Sequence, residues 1–184
     1  MTAHPSISLI TITRNEEALI GQCLRSAWFC DEKIVIDSLS ADRTVEIARA
    51  AGASVVEHEF TNYVMQKQMA LDRATGEWVL LMDADEQATH DLGEEILTAV
   101  SSPDAADGYR VRRILYHLGH YYSHSIYPDR PVRLFRRARG FSWRWRSGFS
   151  YGFFFTCCGG FCCRSGDTLI RSSREPPYPP STSP

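Results

Sequence analysis

The sequence lacks the glycine-rich motifs with which many proteins hold nucleotide phosphates. It contains neither a Gly-x-Gly-x-x-Gly segment nor a P-loop with its Gly-Lys pair, which disfavours an ordinary Rossmann cofactor site and a P-loop phosphate site. No apolar run approaches the ~20 residues that cross a bilayer, and the first residues lack the basic and apolar regions of a secretory signal. We therefore expect a cytoplasmic protein.

The chain also has little net charge, and its charges are unevenly distributed. The 184 residues carry a formal net charge of -2, which gives no electrostatic basis for general nucleic-acid binding. Residues 140–184 contain no lysine, no alanine, only 2 acidic residues and four of the six cysteines. Residues 1–139 contain 20 acidic residues and 16 alanines. This contrast predicts an ordinary, incomplete domain over residues 1–139 and an irregular, poorly ordered tail over residues 140–184.

The composition of the tail has three interpretations. The cysteines between Cys157 and Cys163 suggest a zinc site, but no separate second pair of ligands follows them and adjacent thiols are awkward ligands. The aromatic residues of the tail, together with Arg144 and Arg146, are compatible with contact at a membrane surface. A third hypothesis accounts for more of the change: residues from about 140 onward are translated in a shifted reading frame.

Strands and helices alternate in the first part of the chain. Apolar, β-branched segments predict strands near 7–13, 33–37, 53–57 and 78–82, and helical periodicity follows each of them. This order predicts an α/β protein with a parallel sheet covered by helices on both faces. Ligands of such sheets bind outside the carboxyl ends of the strands.

The pattern changes after Gly108. Weak alternation over 109–114 and 132–136 predicts strands of a second, smaller mixed sheet. Three histidines between these segments are spaced by three and four residues, so that one helix face could present all three. They are His117, His120 and His124. This spacing can bind zinc, but without a nearby carboxylate motif a polar helix face or contacts with an acceptor substrate are the favoured interpretations. The arginines at 110, 112 and 113 predict a solvated strand edge, with attraction of anionic groups as the alternative.

A pair of carboxylates after the fourth strand is the strongest local signal. Asp83 and Asp85 directly follow the apolar segment Trp78–Met82. Two carboxylates at this spacing can share Mg²⁺ or Mn²⁺, which prefer oxygen ligands and bridge protein carboxylates to substrate phosphates. A solvated acidic turn before a helix is the alternative, because acidic side chains are favourable near a helix N-terminus. The strand context favours the metal site.

Two further strands end in polar residues that a nucleotide can contact. Asp37 ends the second strand, where a carboxylate can accept hydrogen bonds from a base N–H or a ribose hydroxyl. An ordinary turn aspartate explains Asp37 equally well. Thr13 ends the first strand and Asn15 follows it, and Asn15 is also predicted to cap the first helix. Polar groups from three strands are therefore expected at one edge of the sheet.

Five segments of the sequence form an ordered set of motifs. They are Ser8–Glu17, Ile34–Thr44, Tyr63–Gln68, Trp78–Glu86 and Tyr127–Phe135. The segments at 8–17, 34–44 and 78–86 resemble those of family 2 glycosyltransferases, and in particular the branch of bacterial lipopolysaccharide core β-glucosyltransferases. The other two resemble further motifs of that branch. The resemblance implies a GT-A fold, which is a Rossmann-like α/β/α sandwich typical of nucleotide-diphospho-sugar transferases. It also implies a nucleotide-sugar donor and inversion at the anomeric carbon.

The resemblance implies roles for individual residues. The donor nucleotide pocket would comprise Thr13, Asn15, Glu16, Asp37, Lys67 and Asp83. Asp83 and Asp85 correspond to the Asp-x-Asp pair that holds Mg²⁺ or Mn²⁺, with Asp85 as the direct ligand. Arg130 and Arg133 would contact the acceptor or the donor phosphates, for which a planar guanidinium is suited.

The implied partners are a UDP-sugar, with glucose as the sugar, and a glycan or lipid-linked acceptor of the lipopolysaccharide core at the inner face of the membrane. An inverting transferase needs a base. The branch carries a His-Glu pair after its Arg-Leu-Phe segment, but none follows Phe135 here, and Asp129 is the candidate substitute. Two alternatives therefore stay open: a truncated, non-catalytic module that binds nucleotide sugars, and a transferase for another glycan or lipid acceptor.

Overall fold

The computed structural model describes residues 4–117, 120–122, 130–139 and 163–173. The strands of these residues form one mixed sheet. In chain order they are β1 (Ile7–Thr13), β2 (Glu32–Asp37), β3 (Ser54–Glu57), β4 (Trp78–Leu81), β5 (Glu86–Ala88), β6 (Gly108–His117), β7 (His120–Tyr122), β8 (Val132–Arg136) and β9 (Cys163–Ser173). The helices are α1 (Ile20–Ser26), α2 (Thr44–Ala50), α3 (Tyr63–Arg73) and α4 (His90–Ser101), and a 3₁₀ turn covers Arg137–Arg139. The strand order is β3-β2-β1-β4-β8-β6-β9-β5, with β7 paired to β6.

The centre of the sheet is parallel, as the sequence predicts. β1 pairs in parallel with β2 and β4, and β2 pairs in parallel with β3. Leu9 and Leu80 belong to a core that includes residues of α1, α2 and α4. Ile10 and Leu81, on the opposite face, belong to a core that includes residues of α3. The strands are apolar on both faces because helices cover both, and the predicted α/β/α architecture is confirmed.

The predicted second sheet does not form as a separate unit. β8 pairs antiparallel with β4, and β6 pairs antiparallel with β8, so both strands extend the central sheet. Leu134 and Phe135 are each 1% exposed, and they belong to the cores on opposite faces of the sheet. A small peripheral sheet would not bury both faces of β8, whereas a position beside β4 does.

The prediction that the three histidines share a helix face is wrong. His117 ends β6 and His120 begins β7, and the two residues are paired in antiparallel register. Residues three apart in sequence are neighbours on a helix, but they also face each other when two residues separate the strands of a hairpin. His124 lies outside the described residues.

Residues 163–173 are the part of the tail that the structure describes. They form β9, which runs parallel to β6 and antiparallel to β5. The short strand β5 is not predicted from the sequence. The cysteines before Cys163, Arg144, Arg146 and the other aromatic and proline-rich parts of the tail lie outside the described residues. No helix in the described part of the chain has the length and apolar character needed to cross a membrane.

Candidate active site

A cleft of about 500 Å³ lies at the carboxyl ends of β1, β2 and β4. Its walls are formed by Ile12, Thr13, Arg14, Glu16, Ser38, Phe60, Tyr63, Lys67, Asp83, Ala84 and Asp85. Five residues that the sequence assigns to the donor or the metal are among them: Thr13, Glu16, Lys67, Asp83 and Asp85. The parallel arrangement of β1, β2 and β4 thus brings together residues that are up to 72 positions apart in sequence.

Asp83 is held by cations on two sides. Its Oδ1 lies 3.4 Å from Nζ of Lys67, on α3, and its Oδ2 lies 2.9 Å from Nη2 of Arg133, on β8. The Lys67 and Arg133 side chains are only 4% and 3% exposed, whereas that of Asp83 is 35% exposed. Buried cations therefore anchor a carboxylate that still reaches the cleft.

Glu86 is a second, fully buried carboxylate that shares Arg133 with Asp83. Its Oε1 lies 2.6 Å from Nη2 of Arg133 and 3.1 Å from Nη1 of Arg113. Its Oε2 accepts the backbone N–H of Asp83 at 2.9 Å. All three contacts come from donors, which is the environment of an ionised carboxylate because a protonated carboxyl group would need an acceptor.

Glu86 is not predicted from the sequence, and Arg113 lies in other surroundings than predicted. The prediction of a solvated edge at Arg113 is wrong, because β6 lies inside the sheet between β8 and β9 and the Arg113 side chain reaches Glu86. Glu86 follows the acidic pair directly, so it reads in the sequence as one more residue of an acidic turn. No local signal in the sequence connects Glu86 with Arg133, which lies 47 positions away.

The charges of this cluster shift the pKa values of its members. Burial by itself would raise the pKa of Asp83, but Arg133 and Lys67 lower it well below its usual range. Burial lowers the pKa of Lys67, against the effect of Asp83. Burial also raises the pKa of Glu86, and Arg133 opposes that rise while Asp83 adds to it. Asp83 therefore stays ionised at neutral pH, as a site for cations or hydrogen-bond donors requires.

Asp85 differs from Asp83 because its carboxylate is unpaired. Within the described part of the chain, no hydrogen bond or ion pair reaches this carboxylate. Asp85 is half-buried and lines the cleft. It sits in a turn that is closed by a hydrogen bond from the Glu86 N–H to the Asp83 carbonyl, at 3.0 Å. The turn thus presents to the cleft a carboxylate that makes no direct contact with a cation among the described residues.

Asp37 and Asn15 organise the loops beside the cleft and are absent from its lining. Asp37 is fully buried, and its two carboxylate oxygens accept the N–H and the hydroxyl of Ser40, at 2.8 and 2.5 Å. The Asn15 amide oxygen accepts the N–H of Ala41 at 2.8 Å. The predicted helix cap at Asn15 is wrong, because α1 begins only at Ile20. Asn15 instead adopts a φ of 54° and ties the end of β1 to the loop after β2.

Phe60 and Tyr63 form an aromatic wall that the sequence analysis does not assign to the site. Their ring centroids are 5.1 Å apart at 72°, an edge-to-face pair, and the residues are 40% and 53% exposed. Exposed ring faces of this kind can stack on a planar group. Thr13 lines the same cleft, and its hydroxyl is buried without a hydrogen-bond partner among the described residues.

The arginines predicted to face the acceptor or the phosphates lie in different surroundings. Arg133 makes its contacts with Asp83 and Glu86 in the buried cluster. Arg130 is half-buried, and its carbonyl accepts a hydrogen bond from Nη1 of Arg110 at 2.9 Å. Asp129, the candidate base, lies outside the described residues.

The architecture is similar to that of solved glycosyltransferases. TarS of S. aureus, in a crystal structure with UDP-GlcNAc, matches with a TM-score of 0.59 at 20% identity, over 72% of this chain and 46% of that one. Glucosyl-3-phosphoglycerate synthase of Mycobacterium tuberculosis, in a crystal structure with Mn²⁺, UDP and glucosyl-3-phosphoglycerate, matches with a TM-score of 0.55 at 20% identity, over 73% of this chain and 57% of that one. These likenesses confirm the predicted GT-A fold.

Sequence relatives and a family model agree with this fold. An uncharacterized glycosyltransferase of Rickettsia typhi is 35% identical over 71% of this chain and 46% of its own length. The lipopolysaccharide core biosynthesis glycosyltransferase LpsC of Rhizobium meliloti is 32% identical over 73% of this chain and 52% of its own length. The chain thus spans about half the length of these relatives. The model of glycosyl transferase family 2 matches residues 8–165, and the chain belongs to that family.

Proposed function

We propose that the cleft binds a nucleotide-diphospho-sugar with a divalent cation, and that the protein transfers the sugar, glucose, with inversion to a glycan acceptor of the lipopolysaccharide core. The observation that carries this proposal is the environment of the Asp85 carboxylate. Its carboxylate lines the cleft without a partner in the described part of the chain, beside an Asp83 that two cations already neutralise. A carboxylate with no partner at the wall of a cleft is available to a cation, and Mg²⁺ and Mn²⁺ prefer such oxygen ligands.

The residues present fit Mg²⁺ or Mn²⁺. These ions prefer oxygen ligands, and Mg²⁺ commonly takes one or two protein carboxylates and completes its shell with waters and substrate phosphates. Asp85 would be the direct ligand, and Asp83 would assist from the nucleotide side. In the part of the chain that the structure describes, no three His, Cys, Asp or Glu side chains converge on one point, so the donor diphosphate would supply further ligands. The bound cation would stabilise the charge of the departing diphosphate as a Lewis acid.

The remaining walls of the cleft suit the nucleoside of the donor. Phe60 and Tyr63 would stack on the base, and the buried Thr13 hydroxyl would form a hydrogen bond that it lacks among the described residues. Asp37 is fully buried and both of its carboxylate oxygens accept from Ser40, so its predicted contact with a base N–H would require the Ser40 loop to open. Glu16 and Asn15 would complete the pocket on the side of β1.

The transfer step also needs groups for the diphosphate and the acceptor. Lys67, which lines the cleft at 3.4 Å from Asp83, would face the diphosphate. Arg130 would lie on the acceptor side. Arg133 would act through Asp83, because its guanidinium is buried against that carboxylate. Deprotonation of the acceptor hydroxyl by Asp129 stays a prediction.

The names of similar proteins support the choice of substrates. LpsC is a lipopolysaccharide core biosynthesis glycosyltransferase, and the two similar structures were solved in complex with UDP-GlcNAc and with UDP. We therefore propose a UDP-sugar as donor, with the protein in the cytoplasm and in peripheral contact with the membrane that holds the acceptor.

Calorimetric titration of the full chain tests the donor and the metal. We expect UDP-glucose to bind in the presence of Mn²⁺, and Asp85→Asn to weaken that binding by about tenfold or more, the lower range for loss of a group that holds a metal. Asp104→Asn removes the same charge from an exposed loop before β6, at the opposite edge of the sheet, and should bind as the wild type does. Equal affinity for Asp85→Asn and wild type would reject the role of Asp85.

A second candidate function is that of a nucleotide-sugar-binding module without transfer activity. It is favoured by the lack of a His-Glu pair after Phe135, where the related branch carries its base. Incubation with UDP-glucose, Mn²⁺ and a core oligosaccharide separates the two functions. Metal-dependent binding with no glycosylated product would support the module, whereas product formation would support the transferase.

A further inference from the structure

The turn that carries Asp85 is fastened by Glu86 through two reciprocal hydrogen bonds. The Glu86 carboxylate accepts the N–H of Asp83 at 2.9 Å, and the Glu86 N–H donates to the carbonyl of Asp83 at 3.0 Å. Asp85 lies between these two residues. Its backbone therefore has little freedom to move relative to Asp83 as long as both bonds persist.

The same carboxylate holds the arginine that neutralises Asp83. Nη2 of Arg133 lies 2.6 Å from Glu86 and 2.9 Å from Asp83, so one nitrogen serves both carboxylates. Arg113 approaches the same Glu86 oxygen at 3.1 Å. Glu86 thus fixes Arg133 in a position where it contacts only one oxygen of Asp83, and the other oxygen contacts Lys67.

The charge balance of the cluster depends on Glu86 as well. Three cations, Lys67, Arg113 and Arg133, face two anions, Asp83 and Glu86, which leaves a net charge of +1 beside Asp85. Loss of the Glu86 charge would raise this to +2. Because Glu86 is only 1% exposed, water would screen that excess poorly.

We propose that Glu86 is a positioning residue for the cation: it holds the Asp83–Asp85 turn and its charge in the arrangement that binds Mg²⁺ or Mn²⁺, without contacting the ligand itself. This inference rests on the proposed function, since it assumes that Asp85 binds a cation. Groups that orient metal ligands in this way commonly contribute about 10–100-fold to metal affinity or activity.

Glu86→Gln tests the proposal, with Mn²⁺ and UDP as probes. Glutamine keeps the size of the side chain, but its amide nitrogen would face either the Arg133 guanidinium or the Asp83 N–H, both of which are donors. We expect Mn²⁺ affinity, measured by titration in the presence of UDP, to fall by about tenfold or more. UDP affinity without metal should change by less than about threefold, because Glu86 is absent from the cleft lining.

A general loss of structure would weaken UDP binding both with and without metal, and circular dichroism would report it. If Glu86→Gln does not fold, two other variants are compared. Arg113→Gln is then the reference, and Glu86→Gln/Arg113→Gln is the test variant. Arg113 is one-third exposed, and its removal restores the net charge of the cluster. The double variant should bind Mn²⁺ about tenfold more weakly than Arg113→Gln alone.

The outcomes separate this inference from the function on which it rests. If wild type binds UDP and Mn²⁺, and Glu86→Gln or the double variant binds Mn²⁺ as tightly as its reference, the positioning role is wrong and the proposed function stands. If the wild type binds neither UDP nor Mn²⁺, the proposed function fails first. Partial recovery of Mn²⁺ affinity in Glu86→Asp, which keeps the charge, would further support the proposal.

Discussion

Replacement of Arg133 by methionine should be among the most destabilising single changes in the described part of the chain. The Arg133 side chain is 3% exposed and bridges Glu86 and Asp83. Methionine fills much of the aliphatic space but leaves the buried Glu86 with a single cation, Arg113, at 3.1 Å. Removal of one partner from a buried ion pair typically costs about 3–5 kcal/mol, since the other charge is left uncompensated.

The lower end of that range applies here. Arg113 remains in contact with Glu86, and Asp83 keeps Lys67 at 3.4 Å and is itself 35% exposed. We therefore expect a loss of about 3 kcal/mol in the free energy of unfolding. With a urea m-value of about 2 kcal/mol/M, this lowers the midpoint of unfolding by about 1.5 M.

Urea unfolding followed by circular dichroism measures this loss, and two further variants interpret it. Arg43→Met removes an arginine from the pair with Glu46, in which both side chains are more than half exposed, and should leave the midpoint nearly unchanged. Arg133→Met/Glu86→Gln removes the stranded charge and should regain about 1–2 kcal/mol relative to Arg133→Met. A loss below about 1 kcal/mol for Arg133→Met, or no recovery in the double variant, would refute the reasoning.

Two further predictions concern packing and pH. Gly93→Ala should lower the melting temperature although alanine favours helices. The alanine Cβ would lie 2.6 Å from Cδ1 of Phe29 and 3.0 Å from Cζ2 of Trp28, and such overpacking costs about 1–3 kcal/mol. A higher melting temperature for Gly93→Ala than for the wild type would contradict this prediction. The lowered pKa of Asp83 means that its ionised form stabilises the fold above the unfolded pKa of about 4 and that this contribution is lost as the pH falls below it. Asp83→Asn should therefore lose less stability than wild type between about pH 4 and pH 2 in urea titrations, whereas equal losses would remove Asp83 as a source of acid sensitivity. The raised pKa of Glu86 acts in the opposite sense, since its contribution is present below its unfolded pKa and is lost as the pH rises through the folded value.

The central strands could be predicted from the sequence because their signal is local. β1 is predicted and observed over the same residues, Ile7–Thr13, since its apolar side chains on both faces require cover on both faces. The order of the strands in the sheet could not be predicted in the same way. The pairing of β8 with β4 depends on contacts between segments about 50 residues apart, and alternation within β8 carries no information about its neighbour.

The acidic pair could likewise be found, because the rule that ligands bind at the carboxyl ends of parallel strands applies directly to Asp83 and Asp85. Asn15 shows the limit of such rules. Its residue type and the acids that follow it are typical of a helix start, yet its amide forms a hydrogen bond with Ala41, 26 positions away, and its backbone adopts a left-handed conformation. A local preference was overridden by a contact that only the folded sheet creates.

The distinction between Asp83 and Asp85 has the same origin. Residue type and spacing do not distinguish the two carboxylates, which lie two positions apart after one strand, and only the family resemblance favours Asp85 as the direct ligand. In the fold, Lys67 from α3 and Arg133 from β8 reach Asp83, and none of the described residues forms a hydrogen bond or ion pair with the Asp85 carboxylate. A carboxylate in contact with two buried cations gains less from a further cation than one without such contacts. This difference supports the proposed role of Asp85 as the direct ligand, and it depends on the position of Arg133 and Glu86 in the fold.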